Sequence, residues 1–343
     1  MSQKLQSAAK RESGVPAFIQ RQFCLHPLPL PQGTDLAGRV VIVTGGNSGV
    51  GFEACRQFLR LRPAHLIITV RSQAKGDEAK EKLHKDFPDA LVSAWLLDME
   101  SYESITAFAK RCETLARIDI VVLNAGVQKN IFELNTDTQH EKTLQVNYLS
   151  TALLATLLLP VLKSKKPVSS KPPVLSIVAS DTAYWGSIDS SRPIIAQFDN
   201  PETFSRNQYQ NSKLLLFWFV RKVSELVPSN DIVINLSNPG MTAGTSLNDE
   251  LFAKFNPVAK GVANRMKKLL ARTVEDGATN YIYATVVQGE ESHGSFVSDW
   301  TIQPYPFVVY GETGEEIKER LWDETMKELE FSGAADIFKS MRG

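Results

Sequence analysis

Val41-Ile42-Val43-Thr44-Gly45-Gly46-Asn47-Ser48-Gly49-Val50-Gly51 closes a β-branched run and opens a helical one. A strand that turns on glycine straight into a helix can cradle phosphate. The glycines let the backbone turn tightly and approach a pyrophosphate, and the helix N-terminus supplies amide donors and a favourable dipole. The spacing is Gly-x-x-x-Gly-x-Gly, not the Gly-x-Gly-x-x-Gly of many dinucleotide folds. Glycine triplets also serve plain tight turns. The strand before and the helix after favour the cradle, formed by Thr44, Gly45, Asn47, Ser48, Gly49, Val50 and Gly51.

Outward from this turn the chain keeps one rhythm. Apolar runs at 40–44, 66–70, 92–97, 118–123, 174–179, 232–236 and 295–298 are strand candidates. Between and after them, helical patterns cover 49–61, 74–85, 101–116, 138–162, 207–226, 274–287 and 315–329. Several strands are continuously apolar, as expected when helices cover both sheet faces. Such alternation, with right-handed crossovers, predicts an α/β fold: a single-domain Rossmann-type doubly wound parallel sheet of about seven strands. Residues 1–36 are expected to be an N-terminal extension. Residues 37–300 form the catalytic domain with its substrate loops, and 301–343 a C-terminal segment packed on it. His26-Pro-Leu-Pro-Leu-Pro31 excludes regular helix and is expected to lie extended over the surface. Lys4, Lys10, Arg11 and Arg21 against Glu12 alone faintly resemble a transit peptide. An ordinary surface extension is the favoured reading.

Bulk composition narrows the function. Lys+Arg and Asp+Glu both number 38, so the formal net charge is zero, which argues against an electrostatic nucleic-acid binder. Cys24, Cys55 and Cys112 have no metal-ligand spacing, nor do the five histidines, so no metal is expected. Sparse, odd-numbered cysteine suits a reducing compartment, and the cytoplasm is the expected location. No run approaches ~18 apolar residues, so no transmembrane segment is expected. The richest stretch, 149–162, is broken by Ser150, Thr151, Thr156 and Pro160 and reads as a buried helix.

Two side-chain patterns carry chemistry. Arg71, with Ser72, directly follows the second strand candidate, where an acidic residue would bind the ribose hydroxyls of NAD. A basic residue there accommodates the 2′-phosphate of NADP instead, although a solvated strand-end arginine is the plainer alternative. Tyr209 and Lys213 stand one helical turn apart. A nearby ammonium stabilises a phenolate, so the pair is a candidate general acid/base in which Lys213 pulls the tyrosine down from ~10.

With these residues in place, the chain resembles the short-chain dehydrogenase/reductase superfamily over about 35–300. Thr44-Gly45 through Gly51 looks like its cofactor turn, and Asn124-Ala125-Gly126 like its Asn-Ala-Gly signature. The resemblance implies a catalytic set of Asn147, Ser180, Tyr209 and Lys213. It implies that Asp98, with Met99 beside it, meets the adenine ring. Pro239-Gly240 is similar to the segment that closes on the nicotinamide, and either Thr242 or Thr245 would meet its carboxamide. Lys213 would also bind the nicotinamide ribose, and Asn147 would hold a water linking Lys213 to solvent. NADP(H) is the implied cofactor and a homodimer through the fourth and fifth helices the family's frequent assembly. The Arg71 turn and the tyrosine context look like the retinol-dehydrogenase-like branch. The 238–245 segment looks closest to fungal members that serve secondary metabolism.

Plainer roles remain open beside these. Asn147 could tie down a helix kink, Ser180 cap the segment after its strand, Asn124 bridge strands, and Asp98 cap a turn before the helix at Ser101. There are also departures from the family pattern. Ser180 and Tyr209 are 29 positions apart, about twice the usual span, which implies an insertion near the substrate pocket. Asp181 adds a carboxylate beside Ser180. Tyr184, Trp185, Met241, Leu247, Leu251, Phe252 and Phe255 could line a pocket for a lipophilic carbonyl compound, or could be core. The expected activity is an NADPH-dependent carbonyl–alcohol interconversion. Alternatives on the same fold are a non-redox isomerase or cyclase and a non-catalytic NADP-binding sensor.

Overall fold

The computed structural model describes residues 1–166, 171–205, 207–243 and 271–342. In chain order the main elements are α1 (Gln6–Glu12), α2 (Val15–Cys24), β1 (Val40–Val43), α3 (Gly49–Arg60), β2 (His65–Val70), α4 (Gln73–Asp86), β3 (Val92–Leu96) and α5 (Tyr102–Cys112). Then follow β4 (Ile120–Leu123), α6 (Lys142–Ser164), β5 (Val174–Val178), α7 (Gln208–Leu226) and β6 (Val233–Asn238). After the undescribed stretch come α8 (Val274–Ile282), β7 (Phe296–Ser298), β8 (Thr301–Gln303), α9 (Gly311–Glu328) and α10 (Ala334–Met341).

One eight-stranded sheet runs in the order β3-β2-β1-β4-β5-β6-β7-β8. All pairings are parallel except β7 with β8. The order doubles back at β1 and β4, so their C-terminal ends face the crevice where such sheets bind ligands. β8 escapes sequence reading because it is short and partly exposed. It follows a two-residue turn in which Asp299 (φ 54°) and Trp300 (φ 62°) both take left-handed conformations, as a tight hairpin requires.

Alternation along β1 shows why the apolar runs are continuous. Val40 and Ile42 join the core under α5, α6 and α7, while Val41 and Val43 join the core under α3 and α8. Local caps fix the helix starts. Ser101 accepts from the Ser104 amide and Thr273 from the Asp276 amide. The insertion after Ser180 is anchored by charge: Glu324 of α9 accepts from the Ile194 and Ile195 amides, and Asp199 pairs with His140.

By length and composition, α6 could cross a membrane, with a hydropathy of 1.5, but 89% of its apolar window is buried in the protein. The count of unbroken apolar residues missed this, because isolated serines and threonines barely lower the average. α6 is buried nearly all round, from Ser150 through Leu162. The N-terminal residues are more than a surface extension. They fold into a short 3-10 turn that buries Ser2 and two helices that bury Ala9, Arg21 and Gln22, while 26–31 lies extended as expected.

Candidate active site

The turn after β1 is held from three sides. The Thr44 hydroxyl accepts from the Ala125 amide, and the Gly45 amide donates to the Thr69 hydroxyl. Asn124 reaches across from β4, donating to the Thr44 carbonyl at 2.8 Å and accepting from the Tyr281 hydroxyl at 3.0 Å. The strand-bridging role of Asn124 is therefore real, and it shapes the cradle. Gly51 allows the close approach, since a Cβ there would sit 2.5 Å from Asn124 Nδ2 and 2.6 Å from the Gly45 carbonyl oxygen. Gly45 itself has φ +64°. At the start of α3, Ser48 makes no side-chain cap, so the first amides of the helix stay open to an anion. Val50 is buried, Asn47 half-buried and Ser48 exposed. These features fit a dinucleotide pyrophosphate.

Lys213, Asn147 and Gly126 converge behind this turn. The Lys213 ammonium donates to the Val178 carbonyl at 2.7 Å and lies 3.5 Å from where a Cβ on Gly126 would stand. Asn147 is fully buried within a π-helical turn of α6, Gln145–Leu149, a geometry that recurs at functional sites. Its side-chain oxygen accepts from the Val127 amide, and its nitrogen donates to the Val127 carbonyl and the Ser212 hydroxyl. Both amide hydrogens are thus in use, and the side chain pins the β4 loop to the helix that carries Lys213.

Ser180 caps the short turn Asp181–Trp185, accepting from the Thr182 amide and hydroxyl, and its side chain lies near enough to the Tyr209 phenol to oppose that phenol's upward shift. One expectation is corrected. Burial pushes Tyr209 up to about 12, opposed by Ser180 and reinforced by Asp181. Burial also lowers Lys213 to about 8. The ammonium lies 5.9 Å from the tyrosine ring centroid and spends its charge on a backbone carbonyl, so desolvation outweighs any pull on the phenol. Asp181 is buried and pushed up to about 6, first by burial and then by Asp299, against Arg21 and Arg272.

The other cofactor candidates are spread along the strand ends. Asp98 bonds the Glu100 amide and so caps its turn, and the Met99 carbonyl accepts from Ser150. Arg71 is exposed at the end of β2, 3.7 Å from Glu100, and Ser72 begins α4 without a side-chain cap. Pro239 and Gly240 follow β6, where the Gly240 amide donates to Asn238 and the Thr242 hydroxyl donates back to the Gly240 carbonyl. Thr245, Leu247, Leu251, Phe252 and Phe255 lie outside the described residues. Tyr281 and Thr69 were missed, since a lone tyrosine or threonine far from the turn has no spacing signal. Ser212 stood inside the Tyr209–Lys213 motif itself.

A family model described as short chain dehydrogenase matches residues 39–169. The short chain dehydrogenase virL of Hypocrea virens is 50% identical over 344 residues, covering 100% of this chain and 99% of the relative. The chain belongs to the short-chain dehydrogenase family. The short chain dehydrogenase/reductase mfmJ of Annulohypoxylon moriforme is 42% identical, covering 95% of this chain and 94% of that protein. Among solved structures, a short-chain dehydrogenase of Shigella flexneri complexed with NADP superposes with a TM-score of 0.58 at 19% identity, over 78% of this chain and 100% of that one. One from Sphingobium yanoikuyae in complex with NADPH gives 0.55 at 17%, over 76% and 87%. These likenesses give the fold. The family gives this short-chain dehydrogenase its enzyme class, an oxidoreductase.

Proposed function

We propose that this short-chain dehydrogenase is an NADPH-dependent reductase of ketones or aldehydes on a lipophilic small molecule, running equally as an alcohol dehydrogenase. The observation that carries it is the convergence of Ser180, Tyr209 and Lys213 at the strand ends beside the glycine turn, with Ser180 acting on the Tyr209 phenol and Lys213 held by the Val178 carbonyl one turn on. Bound NADPH would supply the hydride. Ser180 is set to orient the carbonyl oxygen, and Tyr209 to give it a proton. A phenol held near 12 is protonated at neutral pH, which suits it to donate. Lys213 would offer its ammonium to a ribose hydroxyl, and Asn147 keeps the β4 loop in register with the helix that carries it. The test is NADPH oxidation against a panel of lipophilic ketones, followed by product mass. A gain of two hydrogens supports the reading. An unchanged mass points to an isomerase or cyclase, and an inert panel points to a sensor.

Arg71 is assigned to the 2′-phosphate of NADP, and the solved neighbours that hold NADP or NADPH support that choice. Arg71→Ala is expected to weaken NADPH binding by roughly 10–100-fold, the worth of one charged hydrogen-bonding contact, and to leave NADH binding unchanged. Fluorescence titration with both nucleotides checks this. Equal affinities in wild type would overturn the assignment.

We also infer a monomer. α9 and α10 lie over α7 and α6: Trp322 stacks on Phe219 and meets Phe338 edge-on, and Thr325 bonds Tyr148. The helices through which the family often pairs are thus covered by this chain's own C-terminal segment. Light scattering is expected to give one species of 38.1 kDa. A stable dimer at micromolar concentration would refute the covering role.

A further inference from the structure

α2 touches both walls of the candidate site. Trp185, in the turn capped by Ser180, donates its indole N–H to the Ser13 carbonyl and meets Phe18 edge-on at 5.3 Å. On the other side Gln22 donates to the carbonyl of Met241, next to Gly240. Between these contacts sits Arg21, only 6% exposed. Its guanidinium pairs with Glu12 at 2.6 Å and with Asp299 at 3.4 Å, and lies 5.3 Å from the Tyr184 ring centroid. The Arg21 carbonyl and Asp299 both accept from Arg272 Nη2 at 2.5 Å. Arg272 packs in turn on Trp300 and against Gly240, where an added Cβ would come within 2.9 Å of Nη1.

Buried charges are retained only where they are paired, and removing one partner leaves the others exposed to a low dielectric. This cluster joins α1, α2, the Ser180 turn, the start of the loop after β6, Arg272 ahead of α8, and the β7–β8 hairpin. Ser180 and Gly240 leave neighbouring strands whose pairing ends at the Ala179 amide and the Ser237 carbonyl. Beyond those strand ends, α2 supplies a second link between the two segments.

We propose that Arg21 is a positioning residue for the reaction: through Glu12, Asp299, Arg272 and Tyr184 it fixes the Ser180 turn against the Gly240 loop, making the N-terminal helices a working part of the active site. The proposal rests on the reductase reading for its kinetic consequence, while its structural consequence stands apart.

The test compares Arg21→Met and Arg21→Lys in the full chain. Amide hydrogen exchange over residues 181–186 is measured first, with no carbonyl compound present. Arg21→Met is expected to speed exchange there by about tenfold while strands β4 and β5 keep their protection. With the panel ketone that wild type reduces best, kcat is expected to fall by about tenfold or more, as a displaced orienting group should cause. The NADPH Kd should stay within about threefold of wild type. Arg21→Lys keeps the charge but loses the fork, so it should recover part of both effects, and it carries the test if the methionine variant does not fold. Unchanged exchange over 181–186 in folded variants would overturn the proposal. So would a kcat equal to wild type accompanied only by lower thermal stability. If wild type reduces nothing in the panel, the reductase reading fails, and exchange alone decides the role of Arg21.

Discussion

Tyr209→Phe is expected to lower kcat for NADPH-dependent carbonyl reduction by about 10²–10⁴-fold, the usual worth of a placed general acid. The substitution removes one oxygen and keeps the ring, so packing around α7 changes little. The lost atom is the phenolic oxygen that faces Ser180 and would, on the proposed mechanism, give its proton to the carbonyl. The NADPH Kd should stay close to wild type, because the cradle is built from Thr44, Gly45, Gly51 and Asn124. Stopped-flow or steady-state NADPH oxidation reads the first quantity and fluorescence titration the second. A variant with wild-type turnover would remove Tyr209 from the mechanism, whatever its cofactor affinity.

The pH behaviour of the same residue separates two ideas about Lys213. If the ammonium alone brought the phenol toward neutrality, Tyr209 would already lie below its ordinary value in this site. Instead burial holds it up at about 12, and Lys213 itself is pushed down to about 8. Lys213 donates to the Val178 carbonyl. On the proposed mechanism its part is to hold geometry at the strand end and to offer its ammonium to a ribose hydroxyl.

What the chain made legible was local. The glycine turn, the Asn-Ala-Gly triplet and the Tyr209–Lys213 spacing each lie within a few residues, so periodicity and residue type revealed them. The doubly wound parallel sheet followed, because apolar runs alternating with helical patterns admit few other topologies. What stayed hidden was non-local or depended on burial. Arg21 looked like one more basic residue of an N-terminal extension, because its partners Asp299 and Arg272 come from the far end of the chain. The downward pull expected of Lys213 on Tyr209 failed because a sequence shows charge but not desolvation. Nor did the pattern show that the C-terminal helices cover α6 and α7, since an amphipathic helix does not name the surface it meets.

Gly51→Ala has the second large effect, and it runs against helix propensity. Alanine in the first turn of α3 would ordinarily favour the helix by up to about 1 kcal/mol over glycine. Here the new methyl would stand 2.6 Å from the Gly45 carbonyl oxygen and 2.5 Å from Asn124 Nδ2. The carbonyl belongs to the turn and cannot swing aside. Asn124 can move only by giving up its bonds to the Thr44 carbonyl and Tyr281. Forced overpacking of this kind costs about 1–3 kcal/mol, so the net change is destabilising. Because the displaced groups form the cradle, NADPH affinity is expected to fall by about 100-fold, as for losing two of its hydrogen-bonded supports. Asn124→Ala supplies the deciding comparison. It removes one of the two clashing groups, so the double variant should be less destabilised than the sum of the singles, by about 1 kcal/mol or more. Strict additivity in urea unfolding would mean that Gly51 and Asn124 do not meet. Coupling would show that the glycine is kept to let that amide lie across the turn.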